Sequence, residues 1–132
     1  MRRSDQRRAA VFAIYQRDVT GSQIADLLGD DATGFTRRLA EAVDSRSADL
    51  DQVIDRHAQG WSVERIAPLE RAILRVAILE IREPDAVDAG TPIPPEGAID
   101  EAVETAKQFC AAEAAGFVNG ILGAVIEESR TT

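Results

Sequence analysis

The stretch PLERAILRVAILEI, residues 68–81, constrains the fold more than any other part of the chain. Wound as a helix, it places Leu69, Ile73, Val76 and Glu80 on one stripe. Ala72, Leu74, Ala77, Ile78, Leu79 and Ile81 cover much of what remains. A helix that is apolar on most sides must be surrounded by other helices, so it belongs in the middle of a bundle. Pro68 suits its first position, where no N–H is lost. Arg71, Arg75 and Arg82 fall near one line and predict its exposed edge. Glu80 is the anomaly, a carboxylate where the stripe calls for an apolar side chain.

The rest of the chain reads as helix too. Runs of β-branched and aromatic residues with period-two alternation are absent, and alanine is abundant. A first helix is predicted over 4–19, with Ser4 as N-cap and Gly21 as stop. Arg8, Phe12, Tyr15 and Val19 share one line on it. A short turn of helix follows at 23–28, then helices at 35–43 and 48–58. Gly60 breaks the chain, and Trp61 is expected to anchor the turn into the next short element. Residues 83–96 hold four of the five prolines and form the one long connector. Pro95 then opens a helix whose apolar stripe includes Ile99, Ala102, Val103, Ala106, Phe109 and Cys110. The last helix, 112–127, buries Val118, Ile121, Leu122, Val125 and Ile126. Gly116, Gly120 and Gly123 lie together on another of its faces. Interior glycines cost about 0.5–1 kcal/mol each relative to alanine, so close backbone approach there is the expected compensation. The fold class is therefore all-α: a compact bundle of six to seven helices, one domain over 1–132.

Several function classes fall away. His57 is the only histidine and Cys110 the only cysteine, so no Cys/His metal cluster can be assembled. No phosphate-binding glycine loop or nucleophile elbow is present, and neither catalysis nor a cofactor is expected. No apolar run approaches the roughly 20 residues that cross a bilayer, so no membrane association is expected. No targeting segment is predicted, and a lone cysteine fits a reducing cytoplasm. Cys110 reads as a small apolar side chain.

Charge is distributed unevenly. The net charge is −8, and residues 84–113 hold seven acids against one base, Lys107. Yet four of the 15 basic residues, Arg2, Arg3, Arg7 and Arg8, stand in the first eight positions. A helix N-terminus carries partial positive charge, so cations there are disfavoured by roughly a few tenths of a kcal/mol each. An anionic partner explains them better than helix stability does.

Three segments together resemble the NusB family of small, all-helical bacterial transcription antitermination factors. They are RRAAVFAIYQ (7–16), WSVERIAPLERAILRVAILEI (61–81) and IPPEGAIDEAVETAKQFCAAEAAGFVNGIL (93–122). The most specific combination is IDEAVETAK followed at the right distance by FVNGIL. The resemblance implies two packed helical subdomains, about 1–59 and 60–132. It also implies binding of single-stranded boxA RNA in ribosomal RNA transcripts, with the ribosomal small-subunit protein NusE as partner. Other Nus factors and RNA polymerase would be engaged indirectly, in support of antitermination and rRNA synthesis.

The family's functional positions carry over one at a time. Arg3 and Arg7 match the arginine arm, with Arg2 and Arg8 as further cations, and their implied role is to grip phosphates. Tyr15 matches an aromatic that either stacks on an unpaired base or packs into the core. Glu80 matches an acidic residue that either accepts from a base amino group or pairs with an arginine. Glu113, Phe117 and Asn119 fall in the segment the family uses beside RNA; Phe117 can equally pack inward, and Asn119 can equally fix backbone. The family commonly has lysine where this chain has Gly116, which removes one cation.

Two other readings compete. One is a protein-interaction module that never touches RNA, and the helix faces that serve it would also allow a homodimer. The other is a stand-alone relative of the RNA-binding domain of rRNA cytosine methyltransferases.

Overall fold

A computed structural model describes residues 2–88 and 90–131. Among these residues there are seven α-helices and no strands. They are α1 (Arg3–Thr20), α2 (Ile24–Leu27), α3 (Gly34–Ser45), α4 (Ser47–His57), α5 (Pro68–Arg82), α6 (Pro95–Phe109) and α7 (Ala114–Thr131). A 3₁₀ turn, Val63–Arg65, leads into α5. No helix among the described residues is long and apolar enough to cross a membrane.

As its all-round apolarity predicts, α5 is the axis of the bundle. Every residue from position 72 to 79 is buried, and the helix packs against α1, α3, α4, α6 and α7. Ile73, Leu74, Ile78 and Leu79 are almost wholly enclosed and join Leu39, Ile54 and Leu122 in one continuous core. Truncating any of these to alanine would cost about 2–5 kcal/mol. Helix α1 ends where expected. Gly21 adopts a left-handed conformation (φ 75°), and its N–H donates to the Arg17 carbonyl at 2.8 Å.

Five expectations are corrected. Ser4 is not an N-cap, because α1 already begins at Arg3; its hydroxyl donates instead to Glu101 Oε1 across the bundle at 2.6 Å. Arg71 and Arg75 do not mark an exposed edge. Arg75 is buried because acids from two other helices meet it there: Asp51 accepts from its Nε and Nη2 (2.7 and 2.8 Å), and Asp18 from Nη1 (2.8 Å). Arg71 is half-buried beside Asp18, and only Arg82 is exposed. Trp61 does not anchor its turn but stands 55% exposed. The turn is held by Asp55, whose Oδ1 accepts from the Val63 N–H at 2.8 Å.

The α7 glycines meet no close backbone, since a methyl group at Gly116, Gly120 or Gly123 would find nothing within 4 Å. They lie away from the face that α7 buries, which is built from Val118, Ile121, Leu122, Val125 and Ile126. Phe109 is not a core residue either; it is 48% exposed at the last turn of α6.

Candidate nucleic-acid interface

The arginine end of α1 lies against the C-terminal end of α5, and the two sequence anomalies meet there. The buried Arg7 guanidinium donates from Nε to Glu80 Oε1 (2.7 Å) and from Nη2 to Oε2 (2.9 Å). Both side chains are about nine-tenths enclosed. This explains why the apolar stripe of α5 tolerates a carboxylate: the charge has a two-point partner in a low-dielectric setting. It also means that Arg7 and Glu80 are each other's partner, and a phosphate would have to compete with Glu80 for Arg7.

Arg2 and Arg3 remain outside. Among the described residues Arg2 makes a long contact with Asp5 at 3.5 Å, with 79% of its side chain exposed. Arg3 is exposed, with its guanidinium carbon 4.0 Å from the centre of the Phe35 ring, while Arg7 lies 5.4 Å from the same ring. Such stacking favours the planar cation by about 0.5–1 kcal/mol when exposed. Arg3, Arg7, Phe35 and Glu80 border a cleft of about 250 Å³, closed on its far side by residues of the 83–93 connector and by Glu101.

A second, larger hollow of about 450 Å³ lies between the start of α5 and the start of α7. Trp61, Arg65, Glu70, Glu113 and Phe117 line it. Burial pushes the Glu70 carboxyl above its ordinary range, and the neighbouring Glu113 charge adds to the effect. Burial likewise raises the Cys110 thiol, with Glu70 contributing. Cys110 is half-buried, and its raised thiol holds it in the unreactive neutral form.

The sequence-predicted residues therefore divide. Arg3, Arg7 and Glu80 gather at the first cleft, with Arg2 beside it; Glu113 and Phe117 line the second hollow. Tyr15 is half-buried against the core, and Asn119 is exposed on α7. The two hollows share no lining residue, with Glu80 on the wall of the first and Phe117 on that of the second. Arg8 lies on a third surface, the seam between α1 and α6, where its Nε donates to Thr105 Oγ1 at 3.4 Å. One rung further, Phe12 and Phe109 meet edge-to-face with centroids 5.1 Å apart.

Sequence reasoning missed Phe35, Trp61 and Phe109 as site residues. Phe35 read only as the first residue of a helix, and Phe109 sat on a stripe that read as core. Trp61 follows Gly60 at a break between helices, which was its only available signal.

An arginine-led helix laid against the central helix of an all-α bundle, with the Phe35 ring beside the exposed Arg3, defines a small all-helical bundle protein. A model of the NusB family matches residues 4–127, and the chain belongs to that family. It is 36% identical to the transcription antitermination protein NusB of Symbiobacterium thermophilum, over 96% of this chain and 90% of that one. Among solved structures, T. maritima NusB matches with a TM-score of 0.81 at 26% identity, covering 97% of this chain and 92% of the other. A structure of antitermination factors NusB and NusE in complex with dsRNA shares the fold, with a TM-score of 0.79 at 22% identity over 96% of each chain. Family membership agrees with the non-enzymatic reading of the sequence.

Proposed function

We propose that this chain is a cytoplasmic transcription antitermination factor that binds single-stranded boxA RNA of rRNA transcripts together with NusE, supporting rRNA synthesis. Other Nus factors and RNA polymerase are engaged indirectly. Its family and the NusB relative at 36% identity support the general role. The structural neighbour that pairs NusB with NusE and dsRNA supports NusE and RNA as kinds of partner.

The observation that carries the reading is the exposure of Arg2 and Arg3 beyond an anchored Arg7. Two exposed cations with only weak internal contacts, Arg2 to Asp5 and Arg3 over the Phe35 ring, at a helix end that disfavours them, have a purpose if phosphates arrive there. Arg7 then serves as the fixed post that orients the arm. The net charge of −8 limits binding by the chain alone, which is why NusE is needed to complete the surface.

The test is a gel-shift titration of boxA RNA, a scrambled single strand and a boxA duplex, each with and without NusE. Preference for the boxA single strand, strengthened by NusE, is the expected result. Equal binding of all three RNAs under every condition would overturn it.

A further inference from the structure

Helices α1 and α6 are joined by three rungs at a constant sequence offset: Ser4 to Glu101 (2.6 Å), Arg8 to Thr105 (3.4 Å) and Phe12 to Phe109 (5.1 Å between ring centres). Each rung is four residues beyond the last on both helices, so the two helices run in the same direction with matched turns. The seam changes character along its length, from hydroxyl–carboxylate through guanidinium–hydroxyl to aromatic–aromatic. It ends on an open ring, since Phe109 is 48% exposed and α6 stops there.

An exposed phenylalanine held edge-on by a second ring is an oriented, nearly rigid platform. A cation one turn along the same face, on the side of the exposed arginine arm, completes the pairing of aromatic and basic groups that single-stranded nucleic acid uses. Thr105 accepts from Arg8 Nε at 3.4 Å, which holds the guanidinium in the seam one rung from the ring pair. A docked protein segment would also cover Phe109. The charge favours a polyanion: Arg8 stands between the rings and the Ser4–Glu101 rung, whose carboxylate already accepts from Ser4, and Arg2 and Arg3 add cations beyond that rung.

Resting on the proposed RNA-binding role, we infer that Phe109, braced by Phe12, is a stacking platform for one unpaired base, and that Arg8 holds an adjacent phosphate. The strand thus runs along the α1–α6 seam as well as over the arginine arm.

The experiment compares wild-type protein with Phe109→Leu and Phe109→Tyr, using boxA RNA in the presence of NusE. NusE binding and thermal stability are measured separately for each variant without RNA. Phe109→Leu keeps apolar bulk but loses the ring, and it should weaken RNA binding about tenfold or more, with NusE affinity and melting temperature unchanged. Phe109→Tyr should bind as wild type does. Undiminished RNA binding by Phe109→Leu overturns the inference while leaving the proposed function intact; failure of the wild type itself to bind RNA overturns both. Loss of NusE binding by Phe109→Leu would assign the ring to a protein interface and overturn the inference as well.

Discussion

Arg7 and Glu80, 73 positions apart in sequence, face each other through two parallel hydrogen bonds of 2.7 and 2.9 Å at the junction of α1 and α5. The pair ties the arginine-led helix to the central helix and sets where Arg2 and Arg3 emerge. Its energetics follow from enclosure: removing one partner leaves a charge that is about nine-tenths enclosed without its counter-ion.

Arg7→Ala or Glu80→Ala alone should therefore destabilise the fold by about 3–5 kcal/mol, while Arg7→Met combined with Glu80→Leu should recover most of that loss. Urea denaturation of the singles and the double checks it. Single-variant losses below about 1 kcal/mol would mean that water replaces the missing partner.

The exposed glycines of α7 predict the opposite sign. Gly120 has open space around it and sits within a helix. Gly120→Ala should then gain about 0.5–1 kcal/mol, because alanine gives up less backbone freedom on folding. A loss in the same denaturation assay would reveal a close approach at this face.

Glu70 makes stability depend on pH. Its carboxyl is raised by burial first and by Glu113 second. A raised carboxyl favours folding fully below its unfolded value, near pH 4.3, and that contribution is lost as pH rises through the folded value. Glu70→Gln should accordingly raise the melting temperature at pH 7 but not at pH 3.5. Glu113→Gln should shift it the same way by less. Melts across that range would contradict the account if the gain were independent of pH.

The helices were legible in the sequence to within a residue or two at most ends, because apolar periodicity and Gly or Pro punctuation act locally. The central place of α5 was legible for the same reason. What escaped depended on partners far along the chain. Arg75 looked like a surface residue until Asp18 and Asp51 arrived from α1 and α4. Ser4 looked like a cap until Glu101 met it. Phe109 lay on an apolar stripe, and nothing local showed that α6 would stop before any helix covered it. Glu80 was recognised as out of place on its stripe, and an arginine partner was one of its two readings. That the arginine would be Arg7, itself expected at a phosphate, required the α1–α5 packing.

The central claim, that the exposed arginines of α1 grip RNA phosphates, is tested most directly by salt dependence. The affinity for boxA RNA with NusE should be measured over a range of salt concentrations for wild-type protein and for Arg2→Ala/Arg3→Ala. The account predicts weaker binding by the double variant, a salt slope shallower by about 0.7 for each phosphate no longer neutralised, and a melting temperature close to wild type, since loss of the Arg3–Phe35 stacking is offset by relief of two cations at the helix N-terminus. An unchanged slope and affinity would contradict it.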